Sequence, residues 1–382
     1  MRIEQLVLSS VDGAGVKLAP LAAIAPQLVS IFGSVSFLTD AAFVRMVTDL
    51  FPDAQLMGCT TAGEISNDGV TEDTCTVTAV RFSTSRVKSV STALKGMKDS
   101  RAAGERIGHA LDRNHLRGVL MLAPGVKING SALVEGVSSV IGQNVPLTGG
   151  LAGDDGAFHR TLTWGDEGVS DNHVTAVGFY GDTLNFISSA FGGWVAFGPE
   201  RRITKCDGNV LYELDGRPAL DVYRRFLGNY AKDLPASGLL FPFSTQGAQD
   251  APDGLIRSIL GVDEKLGSLT LAGEVPMHGN LQLMRANKAQ LIQGARTAAE
   301  SAKDRHEVRE DDLTFLISCV GRKLVMGDRV AEEVEAVRGV FDRKPTVAGF
   351  YSYGEISPFT EGGACHLHNQ TMTIVAIGER SS

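Results

Sequence analysis

Residues 58–66, GCTTAGEIS, and residues 349–357, GFYSYGEIS, are nearly the same stretch of sequence at two distant points of the chain. Each copy opens on a glycine and has a second glycine directly before Glu64 or Glu355. Glycine lets a backbone turn tightly and lets another group approach it closely. The repeat therefore predicts two halves of one body that each present the same polar loop, with a ligand site expected where the halves meet.

The first copy lies inside a longer unit. An apolar run at 28–33 predicts a buried strand, and apolar residues at helical spacing predict a helix over 40–51 with Asp40 as its N-cap. The 58–66 stretch follows, and the alternating residues of 75–82 predict a half-buried strand. The order is strand, helix, turn, strand.

The same order occurs twice more. The C-terminal copy predicts strands at 313–320, 347–355 and 371–377 and a helix at 328–341. A divergent middle copy has a strand at 118–123, a helix at 131–141, a loop at 146–155 and a strand at 174–179. The predicted fold class is α/β, with duplicated strand–helix–turn–strand units that form mixed sheets flanked by helices in two domains.

The chain has 382 residues, which exceeds the roughly 250–300 residues at which one core usually stops growing. Residues 191–199 are rich in glycine and aromatics, typical of a crossover or hinge, and we expect any bend at Gly192-Gly193. Beyond them, antiparallel strands are predicted within 255–285 and helices at 218–230 and 287–304. The predicted domains are 1–197 and 198–382.

Charge and composition exclude several classes of protein. The net charge is −8, without the clustered Lys and Arg of a nucleic-acid groove. The uncharged stretch 18–39 contains prolines and polar residues, so no membrane span is predicted. Five widely spaced cysteines without a C-x-x-C pair, and no signal-peptide pattern at the N-terminus, favour reduced thiols in the cytoplasm.

The repeated loops supply the first candidate binding residues. Glu64 and Glu355 offer hydrogen-bond acceptors, and Thr60 and Thr61 lie beside the first of them. The alternative is that each glutamate only accepts backbone N–H bonds within a structural loop. Asp154, in the middle copy, is a third candidate acceptor or metal ligand, although acidic residues after glycine are commonly turn residues.

The C-terminal copy adds further polar candidates. Two imidazoles two residues apart on a strand share one face, so the histidines of the CHLHNQT run could bind a metal or haem iron. Aromatic rings and a hydroxyl interleave beside the second loop and suit a small polar ligand, or else only pack a strand. The candidates are Tyr351, Ser352, Tyr353, His366, His368, Asn369, Gln370 and Thr371.

Signals for an enzyme are weak. The chain contains no G-x-S-x-G, no H-E-x-x-H and no P-loop. No catalytic residues are predicted, and an acid or base role for Glu64 or Glu355 is kept as an alternative function.

Several motifs together resemble one family. In chain order they are GCTTAGEI at 58–65, TGGLAGD at 148–154, GNVLYELDG at 208–216, PASGLLFP at 235–242, RSILGVDE at 257–264, SCVGR at 318–322, GFYSYGEI at 349–356 and LHNQTMTI at 367–374. They resemble the FIST family, named for F-box and intracellular signal-transduction proteins. The likeness spans nearly the whole chain as an N-terminal FIST domain followed by a C-terminal one.

The resemblance implies a stand-alone cytoplasmic sensory protein for a small ligand, such as an amino acid or another metabolite. Some bacterial members are haem-binding nitric-oxide sensors that regulate a histidine kinase, and eukaryotic relatives carry an F-box. Two such domains leave no room here for an F-box or kinase, so output is expected through a partner protein. The ligand, any cofactor and the haem-binding residue are not fixed by these motifs.

Overall fold

A computed structural model describes residues 1–247, 254–305, 307–358 and 362–380 of the protein. The first unit contains three helices and six strands. They are β1 (Arg2–Leu8), α1 (Ala14–Ala22), β2 (Leu28–Gly33), α2 (Val35–Thr39), α3 (Ala41–Leu50), β3 (Gln55–Thr60), β4 (Glu64–Ser66), β5 (Gly69–Thr71) and β6 (Cys75–Arg81).

The second unit repeats this plan with two helices. Its elements are β7 (Arg86–Ala93), α4 (Ser100–Ala110), β8 (Leu116–Ala123), α5 (Gly130–Ile141), β9 (Leu147–Leu151), β10 (Thr163–Gly165), β11 (Gly168–Ser170) and β12 (His173–Tyr180).

The third unit begins with β13 (Leu184–Phe191), after which a mostly β region intervenes. We call this region, residues 195–285, the β insert. It contains β14 (Val195–Ala196), β15 (Arg201–Asp207), β16 (Val210–Leu214), β17 (Arg217–Pro218), α6 (Ala219–Leu227), β18 (Phe243–Gln246), β19 (Ile256–Arg257), β20 (Ile259–Asp263), β21 (Ser268–Leu271) and β22 (Asn280–Arg285).

The third unit then resumes and is completed by the end of the chain. Its remaining elements are α7 (Lys288–Lys303), β23 (Leu313–Cys319), α8 (Val320–Met326), α9 (Val330–Arg338), β24 (Thr346–Ser352), β25 (Glu355–Pro358), β26 (Cys365–His368) and β27 (Met372–Glu379). We call the three units together the body.

Each unit contributes four strands to its own sheet and a hairpin to another. The sheets have the orders β1-β6-β2-β3-β10-β11, β7-β12-β8-β9-β25-β26 and β13-β27-β23-β24-β4-β5. Every order is therefore first strand, last strand, second, third, then the hairpin of a different unit. Unit 1 gives its hairpin to unit 3, unit 3 to unit 2 and unit 2 to unit 1, so the body has approximate threefold symmetry.

The predicted fold class of duplicated units in mixed, helix-flanked sheets is confirmed. The predicted helix over 40–51 is α3, and the Asp40 carboxylate accepts the N–H groups of Ala42 and Phe43 at its N-terminus. The predicted loop at 146–155 is partly wrong, because Leu147–Leu151 is strand β9. Glycine is uncommon in strands, so the Gly-Gly pair favoured a loop, but parallel pairing with β8 stabilises the strand.

The inner faces of the three sheets share one apolar core. Phe32 of unit 1 stacks on Phe350 of unit 3 with ring centroids 4.8 Å apart, and Leu120 and Phe179 of unit 2 belong to the same cluster. Helices cover the outer faces, and the β insert has a separate core around Tyr223 and Leu281. All three units thus contribute side chains to the same core.

The predicted boundary at residue 197 falls between β14 and β15 of the insert. The division into 1–197 and 198–382 stays a prediction, and strand pairs such as β13–β27 connect the two sides. The predicted hinge is closely packed, since a Cβ at Gly193 would lie 2.3 Å from the Gln290 carbonyl oxygen of α7. The Gly192 carbonyl accepts a hydrogen bond from Arg322.

Candidate functional site

The three repeated turns meet at the centre of the body. We call residues 60–63, 151–154 and 351–354 the turn segments. The Tyr351 N–H donates to the Gly63 carbonyl at 2.8 Å, and the Leu151 N–H donates to the Gly354 carbonyl at 2.8 Å. The repeated loops 58–66 and 349–357 are therefore in direct backbone contact, as the repeat in the sequence predicts.

The two repeated glutamates make equivalent contacts. Glu64 accepts hydrogen bonds from the Thr61 hydroxyl and from Thr74, through its N–H at 3.2 Å and its hydroxyl at 2.7 Å. Glu355 accepts from the Ser352 hydroxyl at 2.8 Å and from Thr371, through its N–H at 3.1 Å and its hydroxyl at 2.9 Å. Each carboxyl group therefore connects its turn, through hydrogen bonds, to a threonine later in the same unit.

Burial shifts the pKa of both carboxyl groups in the same direction. Burial raises the pKa of Glu64, and it raises the pKa of Glu355 to about 7, although their hydrogen bonds oppose the shift. Neither side chain lines the two cavities described below. These contacts support an architectural role, and the ligand or acid–base roles of Glu64 and Glu355 stay predictions.

Asp154 and Tyr353 are brought together, as two of the candidate residues. The Tyr353 hydroxyl donates to the Asp154 carboxylate, which also accepts the N–H of Phe158 at 2.8 Å and of His159 at 2.7 Å. Burial and the neighbouring Asp154 raise the pKa of Tyr353. The Phe158 ring stacks on Tyr353 at 4.1 Å between centroids, so a tyrosine with one cavity-facing edge is held rigidly.

Tyr351 belongs to a buried ionic cluster that the sequence did not reveal. Its hydroxyl donates at 3.0 Å to Glu333, which forms a fully buried ion pair with Arg322. Arg322 also donates to the carbonyls of Leu291 and Gln370. The only sequence signal was Arg322 itself, within the quoted SCVGR motif, since its partner lies on a different helix.

The polar run before the last strand lies where the body meets the β insert. Gln370 is fully buried, and its amide donates to the Leu239 carbonyl at 3.2 Å and the Ser258 hydroxyl at 3.1 Å, both in the insert. Asn369 and Thr371 are also buried. A polar stretch in an otherwise apolar strand region is explained by this contact, which we call the seam.

The two candidate haem ligands have different surroundings. His368 is fully buried with its Nε2 2.8 Å from the Ser357 carbonyl oxygen, and burial lowers its pKa to about 3. An iron atom at Nε2 would have to displace that hydrogen bond. His366 lines a cavity together with the charged side chains of Arg101 and Glu135. These surroundings fit a polar ligand better than haem, and haem binding through either residue stays a prediction.

No group of three or more His, Cys, Asp or Glu side chains that could hold a metal ion occurs within the described ranges. The five cysteines are free thiols. Over the same ranges, no helix has the length and apolar character needed to cross a membrane.

Two adjoining cavities lie along the seam. The larger, which we call the Arg257 cavity, has a volume of about 490 Å³ between α5, strand β26 and the insert. The smaller, of about 310 Å³, is lined by Tyr353 and Leu151 of two turn segments. Glu274 and Leu367 line both. Of the predicted site residues, His366 and Tyr353 thus lie at cavity walls, and the rest do not line either cavity.

Arg257 is the residue at this site that sequence patterns missed. Its side chain is fixed by Nε donating to the Glu274 carbonyl at 2.9 Å and Nη1 donating to the Leu367 carbonyl at 3.1 Å. It therefore links the insert to the body. Only its place at the start of the RSILGVDE motif could have drawn attention to it.

Comparison with known proteins matches two family models in tandem. Residues 27–217 match the FIST N domain, and residues 219–358 match the FIST C domain. Uncharacterized protein Mb0898c of Mycobacterium bovis is 26% identical over 390 residues, covering 96% of this chain and 95% of that protein. Uncharacterized protein MJ1623 of Methanocaldococcus jannaschii is 27% identical over 210 residues, covering 52% of this chain and 40% of that protein.

Proposed function

The chain belongs to the FIST family of signal-transduction sensory domains, and from this we propose that it binds a small metabolite at the seam and relays the bound state to a partner protein. The sensory class follows from the family. The ligand site, the relay, a signalling partner such as a histidine kinase and a cytoplasmic setting are the proposed parts.

The observation that carries the proposal is the position of the Arg257 cavity. One wall is the insert, with Arg257 and Glu274, and the other is the body, with Ser131 and His366. Ligand pockets are commonly found between domains and typically measure some 300–1,000 Å³. A molecule in this cavity would contact both parts, so its binding energy would depend on their relative position.

A chain of contacts leads from the cavity into the body. Arg257 is followed by Ser258, whose hydroxyl accepts a hydrogen bond from the Gln370 amide. The Gln370 carbonyl in turn accepts from Trp194 at 3.0 Å and from Arg322 at 3.3 Å. A ligand that favours one arrangement of the seam would shift the population of that arrangement, with a coupling free energy of typically ~1–3 kcal/mol.

A thermal-shift screen with amino acids and other small metabolites tests the ligand site. A ligand that binds only the folded state raises the melting temperature by mass action. Ser131 lines the cavity, so Ser131→Leu should reduce that shift by filling part of the cavity volume. The Ser131 hydroxyl is buried with no hydrogen-bond partner among the described residues, so the substitution removes no hydrogen bond. Ser36→Leu, on the distant helix α2, is the matched control.

Two results would count against the proposal. A screen in which no compound shifts the melting temperature would contradict the proposal that the protein senses a small metabolite. A shift of equal size in wild type and Ser131→Leu would place the ligand elsewhere.

An absorption spectrum after haem addition tests the haem alternative. A Soret band that is lost in His366→Ala would replace the metabolite proposal with haem sensing.

A further inference from the structure

The Arg257 cavity contains a buried positive charge that no carboxylate of the described residues contacts directly, although Glu274 is close enough to raise the pKa of Arg257. Arg257 is only 3% exposed. Its Nε and Nη1 donate to main-chain carbonyls of Glu274, Ile256 and Leu367. In the described part of the chain, Nη2 has no hydrogen-bond partner and no carboxylate lies within ion-pair distance of the guanidinium group.

A buried charge is costly unless it is paired, so an unpaired guanidinium at a cavity wall is a binding group for an anion. Burial lowers the pKa of Arg257 to about 10, which leaves it protonated at neutral pH. The Ser131 hydroxyl, on the opposite wall of the cavity, is also buried without a partner among the described residues.

The other charged groups of the cavity limit the charge of the ligand. Arg101 and Glu135 neutralise each other through a contact of 2.9 Å. Glu274 is exposed, and its carboxylate accepts a hydrogen bond from Asn129 at 2.6 Å. Burial and the neighbouring Arg257 lower the pKa of His366, which favours its neutral form. Glu274 would repel a ligand with two or three negative charges more strongly than a ligand with one, and Arg257 can pair with one negative charge.

We propose that the Arg257 cavity binds a small monocarboxylate, with the carboxylate at Arg257 Nη2. This inference rests on the proposed function only in placing the ligand at the same seam. It adds the chemical class of the ligand and the residue that anchors it. It also assigns Glu274 the role of excluding anions of higher charge.

The test measures thermal shift with acetate, lactate, pyruvate and benzoate, against inorganic phosphate and citrate at equal ionic strength. At least one monocarboxylate should raise the melting temperature of the wild-type protein more than phosphate or citrate does. Arg257→Met keeps the aliphatic stem and should abolish the shift. Arg224→Met, in the same insert but outside both cavities and paired with Glu264, is the control and should keep it.

A second variant covers the case in which Arg257→Met does not fold. Glu274→Gln changes an exposed side chain and keeps an oxygen that can accept from Asn129. We expect it to tighten monocarboxylate binding several-fold and to let phosphate bind as well. Unchanged affinity and unchanged discrimination in Glu274→Gln would overturn the assignment, as would a wild-type protein that responds to no monocarboxylate.

The two proposals fail in different ways. A neutral metabolite that raises the melting temperature equally in wild type and Arg257→Met, but not in Ser131→Leu, would overturn the anion site and leave seam sensing intact. Arg257-dependent carboxylate binding without any change in the seam would leave the anion site and overturn the sensing proposal.

Discussion

Single buried side chains explain why this sequence repeats its glycine–glutamate motif. Glu64 and Glu355 were predicted as ligand acceptors because of their types and repetition, and both turn out to fasten a turn to a threonine. Their threonine partners lie ten and sixteen residues away along the chain, so no local pattern indicates the contact. Arg257 could not be identified for a related reason, since its isolation from carboxylates is a property of the fold.

Replacing Glu355 by glutamine should stabilise the protein at alkaline pH. The folded-state pKa of about 7 lies above the ordinary value of 4.5. The folded state thus holds a proton that the unfolded state releases, so stability falls as the pH rises from 4.5 to 7 and stays lowered above it, by about 3 kcal/mol in total. Glutamine keeps an acceptor for Thr371 without ionising.

Urea unfolding at pH 5 and pH 8 measures this effect. We expect Glu355→Gln to resemble wild type at pH 5 and to exceed its stability at pH 8. A variant that loses more stability at pH 8 than at pH 5 would mean that the ionised carboxylate is the form that holds the turn.

His368 should produce the opposite dependence in acid. Its folded-state pKa of about 3 lies below the ordinary 6.5, so only the unfolded state takes up a proton between these values. Stability should therefore decline by about 3 kcal/mol between pH 6.5 and pH 4 on this account. His368→Gln retains a donor for the Ser357 carbonyl and should flatten the acid limb in urea titrations, and an equally steep limb in the variant would contradict the assignment.

At the level of elements, strand and helix positions were largely predictable and the hairpin exchange was not. Apolar periodicity located β2, α3, β23 and β27 because each has a uniformly buried strand or a one-sided apolar face. Hairpins as short as Glu64–Ser66 carry little periodic signal. Nothing local determines that β4 pairs with β24, far along the chain.

The first glycine of each repeat is required by the parallel pairing of two strands within its own unit. A Cβ added to Gly58, Gly149 or Gly349 would lie 2.1, 1.8 or 1.9 Å from a carbonyl oxygen of the neighbouring parallel strand. Alanine at any of them should cost more than about 3 kcal/mol or prevent folding, because the clash involves main-chain atoms that cannot move independently.

Gly156→Ala is the matched control for these variants. Gly156 has φ +82° and open space around its Cα, so alanine there should cost only about 1 kcal/mol. Urea midpoints compare the four variants. Similar losses at Gly156 and at the three repeat glycines would show that backbone conformation, and not strand packing, explains the motif.

The whole molecule consists of a threefold body and a β insert that enters the third unit between β13 and α7. The sequence revealed the three copies and predicts a ligand site where the repeated loops meet. The structure has direct backbone contacts between the turn segments at that place. The cavities lie beside these segments at the seam, and the smaller one is lined by Tyr353 and Leu151, because the boundary between two separately packed cores leaves room that the centre of one core does not.

The central claim is that ligand binding at the seam alters the contact between insert and body. Hydrogen exchange of the full chain, with and without the monocarboxylate that gives the largest thermal shift, measures this contact. We predict slowed exchange in α5 and in β19–β20 on the two sides of the Arg257 cavity, lost in Arg257→Met and kept in Arg224→Met. Protection confined to one side, or equal protection in both variants, would contradict the claim.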